Sequence, residues 1–278
     1  MIRLLMLISA VFGIGYGYAI SHDVWPFEGM DANQRGVFGD SWGAFTSIFS
    51  AMGFCGVLWT IKLQMDATKK IEDDSRKREE AEKIRDFENS FFNMLSILQT
   101  LIKDMRVEGS SGRTLAEGRH VFLYFFRRFK KEVRQKYGMF LDFESRDISE
   151  VKKASTLMSN AYRFYFRNRA QNLSHYYRYI YNMFKIIHES DLTDSNKKKY
   201  ANILRAQLSN YELLMLFYNA NFAHGRKFET YMNSYAILDN LPAEKLINKK
   251  HVAFYDKKAW GENYDALKYH PKRNDFPD

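Results

Sequence analysis

The chain has 278 residues, 46% of them hydrophobic and 27% charged, and a formal net charge of +9. Its four prolines and fifteen glycines are too few for a disordered or collagen-like protein. Residues 62–278 carry 40 basic and 29 acidic side chains, whereas residues 4–21 and 41–61 carry no charged residue, so a protein soluble throughout is disfavoured. Cys55, which lies in an apolar run, is the single cysteine, so an intramolecular disulfide is excluded. A chain without disulfides indicates a reducing compartment.

The two uncharged segments predict transmembrane helices. As helices, residues 4–20 would extend over about 26 Å and residues 41–61 over about 31 Å, compared with a hydrocarbon layer of about 30 Å. Trp42 and Trp59 lie near the ends of the second segment, where indole rings prefer the lipid headgroups. A cleaved signal peptide is the alternative for the first segment, but Arg3 is its only basic residue and no clear cleavage site follows.

The positions of lysine and arginine predict the orientation of this hairpin, which we place at residues 1–61. Its loop, residues 21–40, has one basic residue, Arg35, against four acidic residues, whereas six basic residues lie between positions 62 and 78. Because positive charge stays on the cytoplasmic side, both termini are expected in the cytoplasm. Membrane lipids are therefore a predicted partner.

Small residues recur at every fourth position in both predicted spans. The strips are Ser9, Gly13 and Gly17 in the first span and Gly43, Ser47, Ala51 and Cys55 in the second. Such strips let another helix backbone approach closely. They could hold the hairpin together, or they could build a homo-oligomer.

After the second span the sequence predicts a charged helical stalk at residues 62–86. Residues 57–108 contain no glycine or proline, and acidic residues precede basic residues at four-residue spacing, as in Glu72 and Arg76. Such pairs support a solvent-exposed helix. From Phe87 onward an apolar stripe at helical spacing indicates the start of a packed domain.

The remaining sequence predicts one cytosolic helical-bundle domain at residues 87–245, followed by an irregular C-terminal tail at residues 246–278. Helical patterns occur at about 115–137, 149–168 with Ser149 as the N-cap, 172–188, 196–222 and 226–239. No alternating strand pattern is evident. The predicted fold class is therefore all-α: a two-helix transmembrane hairpin, a charged helical stalk and a helical bundle.

A basic and aromatic surface is predicted from residues 151–188, which contain no Asp or Glu while basic residues alternate with tyrosine and phenylalanine. Uncompensated positive charge beside aromatic rings suits the phosphates and bases of a nucleic acid. It also suits an anionic inner leaflet. Alternatively, the rings form the core and the arginines extend from it to solvent.

The common catalytic motifs are absent from the sequence, including phosphate-binding loops, dinucleotide fingerprints, nucleophile elbows and zinc-type Cys or His pairs. No catalytic residue, cofactor or metal site is therefore predicted. One alternative interpretation rests on Arg169 and His175, whose R-x5-H spacing resembles that of a superfamily of helical ribonucleases found in bacterial defence systems. The next residue, Ala170, departs from the polar residue common in that motif.

The predicted helix at residues 196–222 is apolar over most of its circumference. Its polar strip consists of Arg205, Ser209, Glu212 and Asn219. Because a helix so apolar is expected to be buried, these groups need internal partners. We expect Arg205 to pair with Glu212, either as a network that fixes helix packing or as part of a ligand pocket.

Several stretches of the chain resemble the family of putative phage abortive infection proteins (AbiC-like). The similar stretches are residues 36–64, with a Gly-Asp-x-x-Gly turn, 87–95, 118–119, 175–181 (HYYRYIY) and 200–219. The resemblance implies a two-span protein of the bacterial inner membrane with a helical cytosolic domain that halts phage propagation at the expense of the infected cell. A phage component is then a further possible partner of the basic and aromatic surface. It implies no established catalytic residue. The predicted binding set combines the polar strip with four residues near or within these stretches: Arg119, His175, Arg178 and Gln207.

The sequence thus favours an anti-phage membrane protein that is not an enzyme. Its cytosolic domain would receive an infection signal, and its hairpin would oligomerise or perturb the membrane. The alternatives are a membrane-tethered ribonuclease and a scaffold that recruits a partner protein.

Overall fold

The computed structural model describes residues 2–138 and 142–271, and the chain divides into two compact units, Met1–Ala81 and Glu82–Asp278. The N-terminal unit contains helix α1, Ile2–Ser21, and most of the 73-residue helix α2, Ala32–Asp104. Helix α2 continues through the charged residues 62–86 without a break. The boundary between the units falls within it.

The connection between α1 and α2 is fixed by Arg35 and Phe27. Arg35 donates from Nη1 to the carbonyl oxygen of Ile20 (2.7 Å) and from Nε to that of Met30 (3.0 Å), and it pairs with Asp23. The Phe27 ring is buried, 1% exposed. The hydrogen bond to Ile20 satisfies a carbonyl group that would otherwise lack a partner at the end of α1.

One helix among the described residues, α2, is long and apolar enough to cross a membrane by length and composition, and none of its most apolar 18-residue window is buried. The predicted pair of spans is not confirmed. In α1, the apolar segment Leu7–Ser21 is the part whose side chains the structure describes. One apolar helix by itself is weak support for a membrane location, because a core helix or a signal sequence can have the same composition.

The small-residue strips do not hold the two helices together. A Cβ atom added at Gly13, Gly17 or Gly43 would meet no atom within 4 Å. The interpretation that the strips pack the hairpin is therefore wrong for this structure, because close backbone approach would leave no such space.

The C-terminal unit is mostly helical, so the all-α class is confirmed. After α2 the chain forms strands β1, Arg106–Glu108, and β2, Thr114–Glu117, then helices α3, His120–Tyr137, α4, Ile148–Arg167, α5, Ala170–Glu189, α6, Asp194–Ala206, α7, Asn210–Ala220, α8, Glu229–Tyr235, α9, Lys257–Trp260, and α10, Tyr264–Leu267. Short 3-10 helices lie at Arg226–Phe228, Ile237–Asn240, Ala243–Lys245 and Lys249–Phe254.

The antiparallel hairpin β1–β2 was not predicted. Its register pairs Arg106 with Glu117 and Val107 with Ala116, and it shifts after Val107. With three and four residues, the strands are too short to show an alternating pattern. Gly112, with φ of +76°, occupies the turn between them in the left-handed region that favours glycine.

Aromatic side chains form the core of the C-terminal unit. The Phe129 ring packs against the rings of Tyr162 and Tyr218, with centroids 5.3 Å away in both cases. The Phe122 and Tyr176 centroids are 4.5 Å apart. These rings come from α3, α4, α5 and α7, so much of the aromatic content of residues 151–188 is structural.

Helices α4 and α6 begin at side-chain caps. The predicted N-cap Ser149 is wrong by two residues, because Asp147 accepts a hydrogen bond from the Ser149 backbone N–H (2.7 Å). Thr193 caps α6 through the backbone N–H of Asn196.

The prediction of an irregular tail at residues 246–278 is wrong for residues 246–271. Leu246, Val252 and Trp260 are fully or almost fully buried. The Trp260 indole donates to the carbonyl oxygen of Val252 (3.2 Å). Burial of such side chains makes this segment part of the core. Residues 272–278 lie outside the described residues.

Candidate functional site

The buried carboxylate of Glu212 is the centre of the polar site. Its Oε2 accepts from Arg119 Nη1 (2.9 Å) and from the Ser209 backbone N–H (2.8 Å), and its Oε1 accepts from the Tyr176 hydroxyl (3.1 Å). Arg119 Nη1 also donates to the carbonyl oxygen of Gln207 (2.8 Å). Four predicted binding residues, Arg119, Gln207, Ser209 and Glu212, therefore lie together.

Ser209 and Glu212 form a capping box at the start of α7. The Ser209 hydroxyl accepts from the Glu212 backbone N–H, and the Glu212 carboxylate accepts from the Ser209 backbone N–H. This arrangement satisfies N–H groups that a helix start leaves without partners. The helix is therefore interrupted between α6 and α7, and the prediction of a single helix at residues 196–222 is wrong.

The predicted pairing of Arg205 with Glu212 is also wrong. Arg205 Nη2 pairs with Asp239 Oδ2 (3.2 Å), and its Nη1 donates to the carbonyl oxygen of Ala236 (2.9 Å). The side chain is 17% exposed. The helix break and the position of residues 235–239 give Arg205 different partners, so it lies outside the Glu212 cluster.

Asn219 belongs to a separate buried polar group. Its Nδ2 donates to the Tyr162 hydroxyl (3.5 Å), which donates to the hydroxyl of Tyr177 (3.0 Å). Burial raises the pKa values of both tyrosines well above the usual value, so they stay protonated. This group connects α4, α5 and α7 and lies within the core.

The other predicted site residues lie on α5 or at its start. His175 is half-buried, whereas Arg178 is exposed and donates to the carbonyl oxygen of Ser174 (3.3 Å). Arg169 donates to Glu132 Oε1 (2.9 Å) and stacks over the Tyr165 ring at 3.9 Å. These contacts give Arg169 a structural role at the start of α5, and the ribonuclease interpretation of Arg169 and His175 stays a prediction.

The chemistry available at the Glu212 cluster follows from its hydrogen bonds. Both carboxylate oxygens accept hydrogen bonds, from Arg119 and Ser209 at Oε2 and from Tyr176 at Oε1, so the orientation of the carboxylate is fixed. Burial, followed by the charge of Glu212, raises the pKa of Tyr176 well above its usual value, which keeps the hydroxyl as a donor. The Arg119 side chain is 44% exposed, and its outer edge could bind an anionic group.

A basic face on α3 is a second feature of the C-terminal unit. Arg127, Lys131 and Arg134 are exposed and, with Lys130, line a shallow depression of about 410 Å³. Desolvation, followed by the charge of Arg134, lowers the pKa of Lys130. Lys130 also donates to the carbonyl oxygens of residues 245 and 246.

Within the described ranges, no group of three or more His, Cys, Asp or Glu side chains is placed to hold a metal ion.

The comparison with protein families identifies the sequence that builds much of this site. Residues 168–246 match the family model of putative phage abortive infection proteins. The resemblance predicted from the sequence is confirmed over that stretch, which contains Tyr176, Ser209 and Glu212. No curated protein and no solved structure matches the chain.

The family match and the geometry coincide at the Glu212 cluster. Of its members, Arg119 alone lies outside the matched stretch. The sequence analysis did not identify Tyr176 as a hydrogen-bond donor to Glu212 or Asp239 as the ion-pair partner of Arg205. The Ser-x-x-Glu spacing at Ser209 was a visible signal for the helix start, whereas no local signal indicates either of the other contacts.

Proposed function

We propose that this chain is an anti-phage abortive infection protein of the bacterial inner membrane. In this proposal α1 and the first part of α2 lie in the bilayer as two spans, residues 62–86 form a stalk, and the C-terminal unit lies in the cytoplasm. The C-terminal unit receives a signal of infection, and the N-terminal helices then oligomerise or perturb the membrane.

The family match at residues 168–246 is the observation that carries the anti-phage role. The matched stretch includes α5, α6, α7 and α8. It also contains most of the buried polar contacts around Glu212. A signal received by the C-terminal unit is therefore proposed to act through these helices.

Exposed apolar side chains support the membrane location. Met52 and Phe54 on α2 are both 64% exposed, and Phe12 on α1 is 77% exposed. Water around a continuous apolar surface of this kind is unfavourable, whereas lipid tails are a suitable surrounding. The basic residues that follow the apolar segment favour a cytoplasmic C-terminal unit.

Open small-residue strips support oligomerisation as the next step. A Cβ at Gly13, Gly17 or Gly43 would meet nothing within 4 Å, so these positions are accessible to a helix of another copy. Close packing of helices at such strips is a common mode of association in lipid.

A matched pair of substitutions tests the membrane role in phage-challenged cells. Met52→Asp places a charge in the apolar segment, at a cost of about 2.5–3.5 kcal/mol near a bilayer centre. Ile71→Asp places the same charge at a 69% exposed position in the charged segment of the same helix. We expect Met52→Asp to lose both membrane association and plaque reduction, and Ile71→Asp to retain both.

A membrane-potential dye and an RNA integrity assay distinguish the mechanisms in the same cells. Loss of potential on infection, with RNA intact, is expected. Full protection by Met52→Asp, or cell death with the potential maintained while RNA is cut, would contradict the proposal.

A further inference from the structure

A groove in the C-terminal unit collects basic side chains from three separate segments. Lys152 comes from α4, Arg226 from the 3-10 turn before α8, and Lys257 and Lys258 from α9. The groove has a volume of about 890 Å³. This volume lies within the range of about 300–1,000 Å³ that is typical of pockets for small molecules.

The charge of the groove favours an anion. All four basic side chains are exposed, and within residues 2–138 and 142–271 none of them forms an ion pair. The lining includes one carboxylate, Asp256, which accepts from the Lys258 backbone N–H (2.8 Å) as the N-cap of α9. Positive charge therefore exceeds negative charge, and lysine and arginine are the side chains that bind phosphate groups.

The groove also has an aromatic part. The half-buried Phe254 is stacked on His251, with ring centroids 4.5 Å apart and planes 20° apart. The neighbouring Tyr255 is buried and donates to the carbonyl oxygen of Phe217 (2.5 Å). Because these contacts fix the rings, the lining offers a preformed apolar surface against which a planar ring could pack.

We infer that this groove binds a small phosphorylated molecule that carries a planar ring, of the mononucleotide class. The basic side chains would bind the phosphate group, and the planar ring of the ligand would pack against the Phe254 ring. A concave site of this size suits one such molecule, whereas a nucleic-acid strand or a membrane surface needs a more extended basic surface. The inference does not depend on the membrane proposal, because every lining residue belongs to the C-terminal unit.

Calorimetric titration of the full-length protein in mild detergent tests the inference with AMP and inorganic phosphate as separate probes. We expect saturable AMP binding and at least about tenfold weaker binding of phosphate alone, because phosphate lacks the ring. The matched variants are Lys152→Glu, which reverses a charge in the groove, and Lys153→Glu, which reverses the adjacent exposed charge outside its lining.

Lys152→Glu should weaken AMP binding at least about tenfold, whereas Lys153→Glu should leave it within about twofold of the wild type. Three results would overturn the inference. They are no saturable AMP binding up to about 1 mM, equal affinities for AMP and phosphate, and equal effects of the two variants. Circular dichroism spectra of both variants check that they are folded, as expected for substitutions at exposed positions.

Discussion

Replacement of Glu212 by alanine should be among the most destabilising single changes in the C-terminal unit. Glu212 is fully buried, and its carboxylate accepts hydrogen bonds from Arg119, Ser209 and Tyr176. The substitution leaves the buried Tyr176 hydroxyl without this acceptor, which costs about 1–3 kcal/mol. It also removes half of the capping box of α7, which contributes about 0.5–2 kcal/mol.

The ion pair with Arg119 adds less than a fully buried pair would. The Arg119 side chain is 44% exposed, so water can solvate the guanidinium after the substitution. We therefore expect a loss of about 3 kcal/mol in the free energy of unfolding, from the hydroxyl and the cap together. For a unit of this size that loss corresponds to a decrease in Tm of about 6–12 °C.

Thermal melting of the full-length protein in detergent, followed by near-ultraviolet circular dichroism of the buried aromatic rings, measures this effect. Glu262→Ala is the control, because Glu262 is exposed and its side chain makes no hydrogen bond to the described residues. Tyr176→Phe should give a smaller decrease, because it removes one hydrogen bond to the carboxylate and keeps the ring. A decrease below about 2 °C for Glu212→Ala, or one equal to that of Glu262→Ala, would refute the reasoning.

Two further predictions concern backbone packing and pH. Gly225→Ala should destabilise the protein strongly, because a Cβ there would lie 2.0 Å from the carbonyl oxygen of Asn219. Gly138→Ala, at a position with open space and a helical φ of −53°, should instead stabilise it by about 0.4–1 kcal/mol. Equal Tm values for the two variants would contradict this prediction. Burial lowers the pKa of His251 from 6.5 to about 3. Since the unfolded chain binds a proton below about pH 6.5 and the folded chain does not, stability should fall by about 1.4 kcal/mol per pH unit as the pH decreases from 6.5 toward 3. His251→Phe should remove that slope in urea titrations at pH 5–6.5; an unchanged slope would show that His251 is not its source.

The helices could be predicted where an apolar stripe repeats at helical spacing. Helix α5, predicted at residues 172–188, occupies Ala170–Glu189 because its buried face repeats at helical spacing. The same reasoning failed at residues 196–222, where apolar residues continue across the break at Ser209. Apolar periodicity alone does not indicate that helix break, whereas the Ser-x-x-Glu spacing at Ser209 does.

The partners of the buried charges could not be predicted, because they come from distant parts of the chain. Arg119 lies 93 residues from Glu212, and Asp239 reaches Arg205 only once α8 and the following turn are in place. Residues 246–271 were missed for a related reason. Their helices are too short for a periodic pattern, and tertiary burial of residues such as Trp260 holds them.

The polar strip shows which part of a site a sequence can predict. Ser209, Glu212 and Asn219 are polar residues on an apolar helix, and burial of Glu212 and Asn219 is confirmed. Their separation into two groups depends on the Tyr176 and Tyr162 hydroxyls, which the helical pattern of α7 does not contain. Whether these groups bind a ligand stays a prediction.

The most direct test of the membrane-anchored anti-phage account is the efficiency of plating on cells that express the full chain or a chain lacking residues 1–61. The account predicts that the full chain reduces plaque number and that the shortened chain, present at equal abundance in the soluble fraction, gives no reduction. Full protection by the shortened chain would contradict the account, because its action would then require no membrane segment.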